Sequence, residues 1–282
     1  VRIDAHQHFW LYDAREYDWI EEGMEALRRD FLPPDLRPLL ARAGFDGCVA
    51  VQARQSLEET RFLLDLAEAN DFVLGVVGWV DLLSGRAAAQ LDAFRGRQKL
   101  VGVRHVVQSE PDDRFLLREA FGRGLAAVQE RGLAYDLLLH PRHLKPAAEL
   151  AARFPGLRFV LDHAGKPRIA RRELAEWARD LKTLARRSNV LCKLSGLVTE
   201  ADWKSWSASE VRPYLDVAFG EFGAERLMIG SDWPVCTLAA DYGGAMGLVV
   251  DYLSRRPEAE TAAVCGGNAR RFWRLAGEEA KP

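Results

Sequence analysis

The segment Val1-Arg2-Ile3-Asp4-Ala5-His6-Gln7-His8 hangs two imidazoles, two residues apart, on the end of a short apolar run. In an extended strand residues i and i+2 face the same side, so His6 and His8 can address one point in space. Two neutral imidazoles on one point are the beginning of a metal site. A histidine pair near a chain end carries little by itself, and the other ligands must come from elsewhere in the sequence.

The elements that could bring them are legible as alternating patterns. Short apolar, β-branched runs at 2–6, 47–52, 73–80, 101–107, 134–140, 158–163, 190–195 and 226–231 are expected strands. Between them lie helix-period stretches at 56–70, 115–131, 144–154, 171–188 and 209–222. Runs such as Gly47-Cys48-Val49-Ala50-Val51 are apolar without alternation, which suits parallel strands covered on both faces. Eight strands separated by helices predict an α/β fold, a single (β/α)8 barrel over residues 1–282, in preference to an open doubly wound sheet. The Pro33-Pro34 step and residues 10–31 read as a long aromatic-rich loop over the barrel mouth, 259–275 as a closing helix, and 278–282 as a polar tail.

Composition excludes several function classes. The 39 basic and 41 acidic residues leave a net charge of −2 spread along the chain, with no basic footprint for nucleic acid or a membrane surface. Cys48, Cys192, Cys236 and Cys265 are far apart and fit buried thiols in a reducing, cytoplasmic setting better than disulfides. No apolar run reaches the roughly 18 residues of a membrane span, and no signal peptide is read before the first strand.

The polar residues fall where such a barrel does its chemistry, at the C-terminal ends of the strands. There stand His6 and His8, Gln52 and Arg54, Arg104 and His105, His140, His163, Lys193 and Asp232; the remaining histidine, His143, follows a proline in a loop. Each has a plain structural reading: His140 can cap a strand, and Asp232 can be a turn or N-cap aspartate. Together they describe imidazoles and a carboxylate converging on one cavity, an acceptable set for zinc or a similar divalent ion with an open position.

Four segments, Ile3-Asp4-Ala5-His6-Gln7-His8-Phe9-Trp10, Gly102-Val103-Arg104-His105, Leu161-Asp162-His163-Ala164-Gly165-Lys166-Pro167 and Gly230-Ser231-Asp232-Trp233-Pro234, resemble the amidohydrolase superfamily. Within its amidohydrolase-2 branch the chain is similar to the sugar-acid lactonases, over nearly its whole length. The resemblance implies metal ligation by His6, His8, His140 and Asp232, with Asp232 and His163 as the catalytic pair. The fourth-strand lysine of binuclear members has no counterpart, since Arg104-His105 stand there, so one divalent metal ion is implied, zinc first, with metal-independent catalysis left open.

The activity so implied is hydrolysis of a fucono-, galactono- or rhamnono-lactone. Asp232 would serve as general base and then acid, and His163 would face the oxyanion, supported by Arg104 or Lys193. Gln52, Arg104, His105, Lys166 and Trp233 are the expected substrate contacts, with Trp10, Trp19 and Trp79 as further indole faces near the mouth. The substrate is a small molecule, and a homo-oligomer is left open. The alternatives are a metal-dependent decarboxylase of an aromatic or muconate-type acid on the same scaffold and a non-catalytic sugar-acid binding protein.

Overall fold

A computed structural model describes residues 1–275; the polar tail expected at 278–282 lies outside the described residues. Eight parallel strands, β1 (Ile3–Gln7), β2 (Gly47–Val51), β3 (Val73–Gly78), β4 (Leu100–His105), β5 (Ala134–Leu137), β6 (Phe159–Leu161), β7 (Val190–Leu194) and β8 (Leu227–Ile229), follow one another in sheet order. Helices α1 (Pro33–Ala43), α2 (Leu57–Ala69), α3 (Ala87–Asp92), α4 (Glu119–Glu130), α5 (Leu144–Arg153), α6 (Ala175–Ala185), α7 (Ala208–Phe222) and α8 (Tyr242–Leu253) connect the strands and follow the last. The expected (β/α)8 barrel is the fold. No helix among the described residues is long and apolar enough to cross a membrane.

Local chemistry sets several helix starts. Ser56 caps α2, its Oγ accepting from the Glu59 N–H at 3.0 Å, and Ser207 with Glu210 forms a capping box on α7. Pro33 and Pro34, read from sequence as part of a loop, instead open α1: their missing N–H groups fall in the first turn, where none is needed. The periodicity missed α3, one and a half turns long, and α8, whose Gly-rich, almost wholly apolar sequence shows little amphipathic stripe. The closing helix is broken into α9 (Glu258–Ala262) and α10 (Asn268–Trp273) by a π-turn at Ala263–Gly267.

The barrel interior is layered. At the bottom Ile3, Ala5, Val49, Val51, Val77, Ala134, Val160 and Met228 pack with Phe272 and Trp273 of α10, which plug the N-terminal end of the strands. Above this apolar layer the inward positions carry charge: Arg104, Asp136, Asp162 and Lys193, all nearly or wholly buried. Lys193 Nζ rests 5.0 Å above the Trp273 ring, so it joins the two layers.

Strand β1 does not keep simple alternation. Ile3 and Ala5 face the interior, yet His6 does too, because the register with β2 shifts between Asp4 and Gln7. This bulge re-aims the histidines into the barrel and leaves Asp4 on the outside. There Asp4 ties β1 to the segment after β8: Oδ1 accepts from Ser231 N–H at 2.9 Å and His6 N–H at 3.1 Å, and Oδ2 from Ser231 Oγ at 2.6 Å and Tyr242 Oη at 3.1 Å. Backbone bonds from Asp232 N to His6 O (2.8 Å) and His8 N to Trp233 O (2.7 Å) complete the seam.

Asp4 is therefore the clasp of the barrel. Asp4→Ala should lower the unfolding free energy by about 3 kcal/mol by stranding buried donors, and Tyr242→Phe by only about 1 kcal/mol. Urea unfolding of the two variants checks this ranking.

Candidate active site

His6, His8 and Asp232 offer ligand atoms that all lie within 4.8 Å of one another, and so do His6, Asp162 and His163. The Asp232 Oδ1 atom is the focus: it is 3.3 Å from His8 Nε2, 3.7 Å from His6 Nε2 and 3.9 Å from His163 Nε2. His163 and Asp232 both adopt positive φ, 54° and 58°, outside the comfortable range of an L-residue. Such backbone costs about 1–3 kcal/mol per residue and persists where neighbours over-determine it. Here two glycines make the room. A Cβ on Gly196 would stand 2.5 Å from His163 Nδ1 and 3.1 Å from Asp232 Oδ2, and one on Gly230 would stand 2.8 Å from the His6 Cβ.

The tautomers follow from the partners. His8 Nδ1 lies 2.7 Å from the Val51 carbonyl oxygen, which can only accept, so Nδ1 carries a proton and Nε2 is turned toward the Asp232 carboxylate. His6 Nδ1 lies 3.2 Å from Asp162 Oδ1, a carboxylate–imidazole arrangement of the kind that orients metal ligands. An imidazole nitrogen 3.3 Å from a carboxylate oxygen is satisfied by a proton on the ring or by a metal ion between the two groups. Ligands bonded at 2.0–2.1 Å in a tetrahedron stand about 3.3 Å apart, so His6, His8 and Asp232 fit one divalent ion with a position left open.

Burial pushes the His163 imidazole down to about 4 against the opposing pull of Asp232 and Asp162. Burial and the nearby Lys193 cation likewise hold His6 well below the usual histidine range. Burial alone would raise the Asp232 carboxyl, but His163, His8 and His6 outweigh it and keep it below the ordinary carboxylate range. At neutral pH the site therefore presents neutral His6 and His163 around an ionised carboxylate.

Beneath this cluster the interior charges form one network. Asp162 accepts from Arg104 Nη1 at 2.9 Å and pairs with Lys193 Nζ at 2.9 Å, while Lys193 also reaches Asp136 Oδ2 at 2.5 Å and His6 Nδ1 at 3.1 Å. Gln52 Oε1 accepts from Arg104 Nη2 at 2.9 Å. Asp136 and Asp162 were not among the residues expected from sequence. Their signal was present: a carboxylate inside an apolar strand such as Ala134-Tyr135-Asp136-Leu137 must find a cation within the barrel.

Three expected site residues stand apart from the cluster, and a fourth is spoken for. His140 lies outside both groups, because β5 ends at Leu137 and its inward position belongs to Asp136; the ring instead lies over His143, with centroids 6.5 Å apart. His105 follows the inward Arg104 and so faces the helices, stacked on Phe115 at 5.0 Å with Nε2 2.8 Å from Glu110. Trp233 is buried edge-on against Phe31 and Phe9 at 5.2 and 6.3 Å, a packing role. Lys166 pairs with Glu200 at 2.8 Å.

Residues 10–31 form the loop expected over the mouth. Trp10 and Phe31 close its base with reciprocal backbone bonds of 3.0 and 2.9 Å, and Trp10 connects by ring contacts to Tyr17, Trp19 and His8. Farther out, the Tyr17 hydroxyl donates to Glu59 Oε1 at 3.1 Å, while Glu59 Oε2 accepts from the N–H groups of Ala53 and Arg54 at the end of β2. The indole Nε1 atoms of Trp19 and Trp79 and the Gln52 Nε2 atom are buried and make no hydrogen bond among the described residues.

The amidohydrolase family pattern matches residues 3–275. An L-fucono-1,5-lactonase from Burkholderia multivorans is 45% identical over 98% of this chain and 96% of its own length. A second L-fucono-1,5-lactonase, from Burkholderia ambifaria, is 42% identical over 97% and 96%. A crystal structure of a Burkholderia multivorans amidohydrolase with bound zinc superposes with a TM-score of 0.95 at 44% identity, covering 98% of this chain and all of that one.

The Glu59 tether has a pH signature. Burial raises its carboxyl to about 7, against the N–H donors that favour ionisation. A carboxyl raised in the folded state holds its proton there while the unfolded chain loses it, so its contribution to stability falls as pH rises from about 4.5 to 7. Glu59→Gln should flatten that fall, as read from urea unfolding at pH 5 and pH 7.5.

Proposed function

Since the chain belongs to the amidohydrolase family, we propose that it is a hydrolase opening the lactone ring of a sugar acid, with L-fucono-1,5-lactone as the first substrate to try. The observation that carries the reading is the convergence of His6, His8, His163 and Asp232 on one oxygen, in a chain whose lactonase relatives match almost end to end.

Lactone hydrolysis needs an activated water, a stabilised oxyanion and a proton for the departing ring oxygen. Asp232, ionised and buried, takes a proton from the attacking water; as the tetrahedral centre collapses and the ring C–O bond breaks, it returns that proton to the alkoxide. Ser195 Oγ lies 2.9 Å from His163 Nδ1, and a hydroxyl donating there leaves the imidazole proton on Nε2, facing the reaction centre as a neutral donor to the oxyanion. Gln52 Nε2, Trp19 Nε1 and Trp79 Nε1 are unspent donors suited to substrate hydroxyls, and the indoles of the mouth loop suit the C–H face of a sugar. A divalent ion held by His6, His8 and Asp232 would supply Lewis acidity for the lactone carbonyl and the attacking water. We assign zinc to that place, supported by the nitrogen and oxygen donors and by the zinc-bound relative.

A pH-indicator assay on a panel of sugar lactones tests the reading. Wild-type protein should release acid from L-fucono-1,5-lactone. Asp232→Asn should lose at least about 10³-fold in turnover with an unchanged circular dichroism spectrum. Absence of acid release from every lactone would overturn the substrate class, and an active Asp232→Asn protein would overturn the base.

A further inference from the structure

Arg104 makes a contact that lactone hydrolysis does not require. Its Nη1 atom, 2.9 Å from Asp162 Oδ2, also lies 3.3 Å from His6 Nε2 in hydrogen-bonding geometry. Asp162 Oδ1 meanwhile faces His6 Nδ1 at 3.2 Å. Lys193 Nζ lies 3.1 Å from that same Nδ1, so a cationic donor faces each ring nitrogen. In the tautomer that metal ligation through Nε2 requires, with the proton on Nδ1, the Nε2 lone pair is the acceptor for Arg104. It is also the lone pair that a metal ion would use. A guanidinium cannot give up its proton, so it cannot turn from donor into a neutral neighbour when a metal arrives.

The geometry points to Arg104 as an internal competitor for the metal site: its guanidinium occupies the His6 lone pair, and an ion binds only by displacing it. The rest of the fork is anchored, since Nη2 and Nε hold Gln52 and Nη1 keeps Asp162. Arg104 therefore needs only a small swing to release His6, and the network holds the imidazole in place whether or not an ion is present. Arg104 is a positioning residue that sets metal affinity, acting through His6. The inference rests on reading His6, His8 and Asp232 as metal donors and is independent of which lactone is hydrolysed.

The test uses zinc alone, without substrate. Competition against a chromophoric chelator at pH 7.5 should show zinc binding at least tenfold tighter in Arg104→Met than in wild type, in line with the 10–100-fold leverage of groups behind a metal ligand. Arg104→Gln, which keeps an amide donor for Asp162, guards against a folding defect and should shift affinity the same way. Equal or weaker binding in folded variants overturns the inference, as does absence of zinc binding in wild type and variants alike. A crystal structure of zinc-loaded wild type separates lone-pair competition from general charge repulsion. Arg104 Nη1 should move out of hydrogen-bonding reach of His6 Nε2, and zinc on that nitrogen with Arg104 unmoved would overturn the claim.

Discussion

A buried carboxylate is the constraint on which the site rests. Asp162 sits inside the barrel with no access to water, and burial alone would drive it to its neutral form. Lys193, His6 and Arg104 outweigh burial and hold it well below the ordinary carboxylate range. The three partners arrive from β7, β1 and β4, so satisfying one buried carboxylate brings three strands to a common point. A buried ion pair gains little net stability over an apolar pair of equal volume, but removing one partner alone costs heavily. The network therefore acts as a specifier of geometry. It fixes the His6 ring, whose Nδ1 is turned to Asp162, and with it one corner of the candidate site.

Above that layer, strain and small residues do the positioning. His163 and Asp232 are held with positive φ just beyond the ends of β6 and β8, and Gly196 is the reason both side chains can occupy one space. The mouth loop then closes over them by aromatic contacts from Trp10 and by the Tyr17–Glu59 bond. A charged floor, a strained ring of imidazoles around a carboxylate and an aromatic rim each use a different interaction. Each relies on the layer beneath it.

Much of the fold was legible because burial on both faces leaves a plain mark. A parallel strand between barrel interior and helices is apolar throughout, as Gly47–Val51 is, and the eight strands stand out for that reason. Helices with a solvent face were equally plain, whereas the apolar α8 and the proline-opened α1 lacked the stripe that reveals a helix. His6, His8, His163 and Asp232 were legible as a site because histidines gathered at strand ends have no packing reason to do so. His140 and His105 looked the same in sequence. The length of β5 and the inward turn of Arg104 place them outside the cluster, and neither can be read from residue type.

Sequence alone determined the barrel, the identity of the clustered imidazoles and carboxylate and the end of the barrel at which they meet, since these depend on local periodicity and on side-chain chemistry. Tertiary structure decided which of them meet. The β1 bulge turned His6 and His8 inward, the parity of β4 and β5 sent Arg104 and Asp136 to the interior and His105 to the helices, and closure of β1 on the segment after β8 brought Asp232 to within 3.3 Å of His8. The physical reason is that a one-residue change of register reverses every side chain beyond it. That register is set by contacts between strands far apart in the chain.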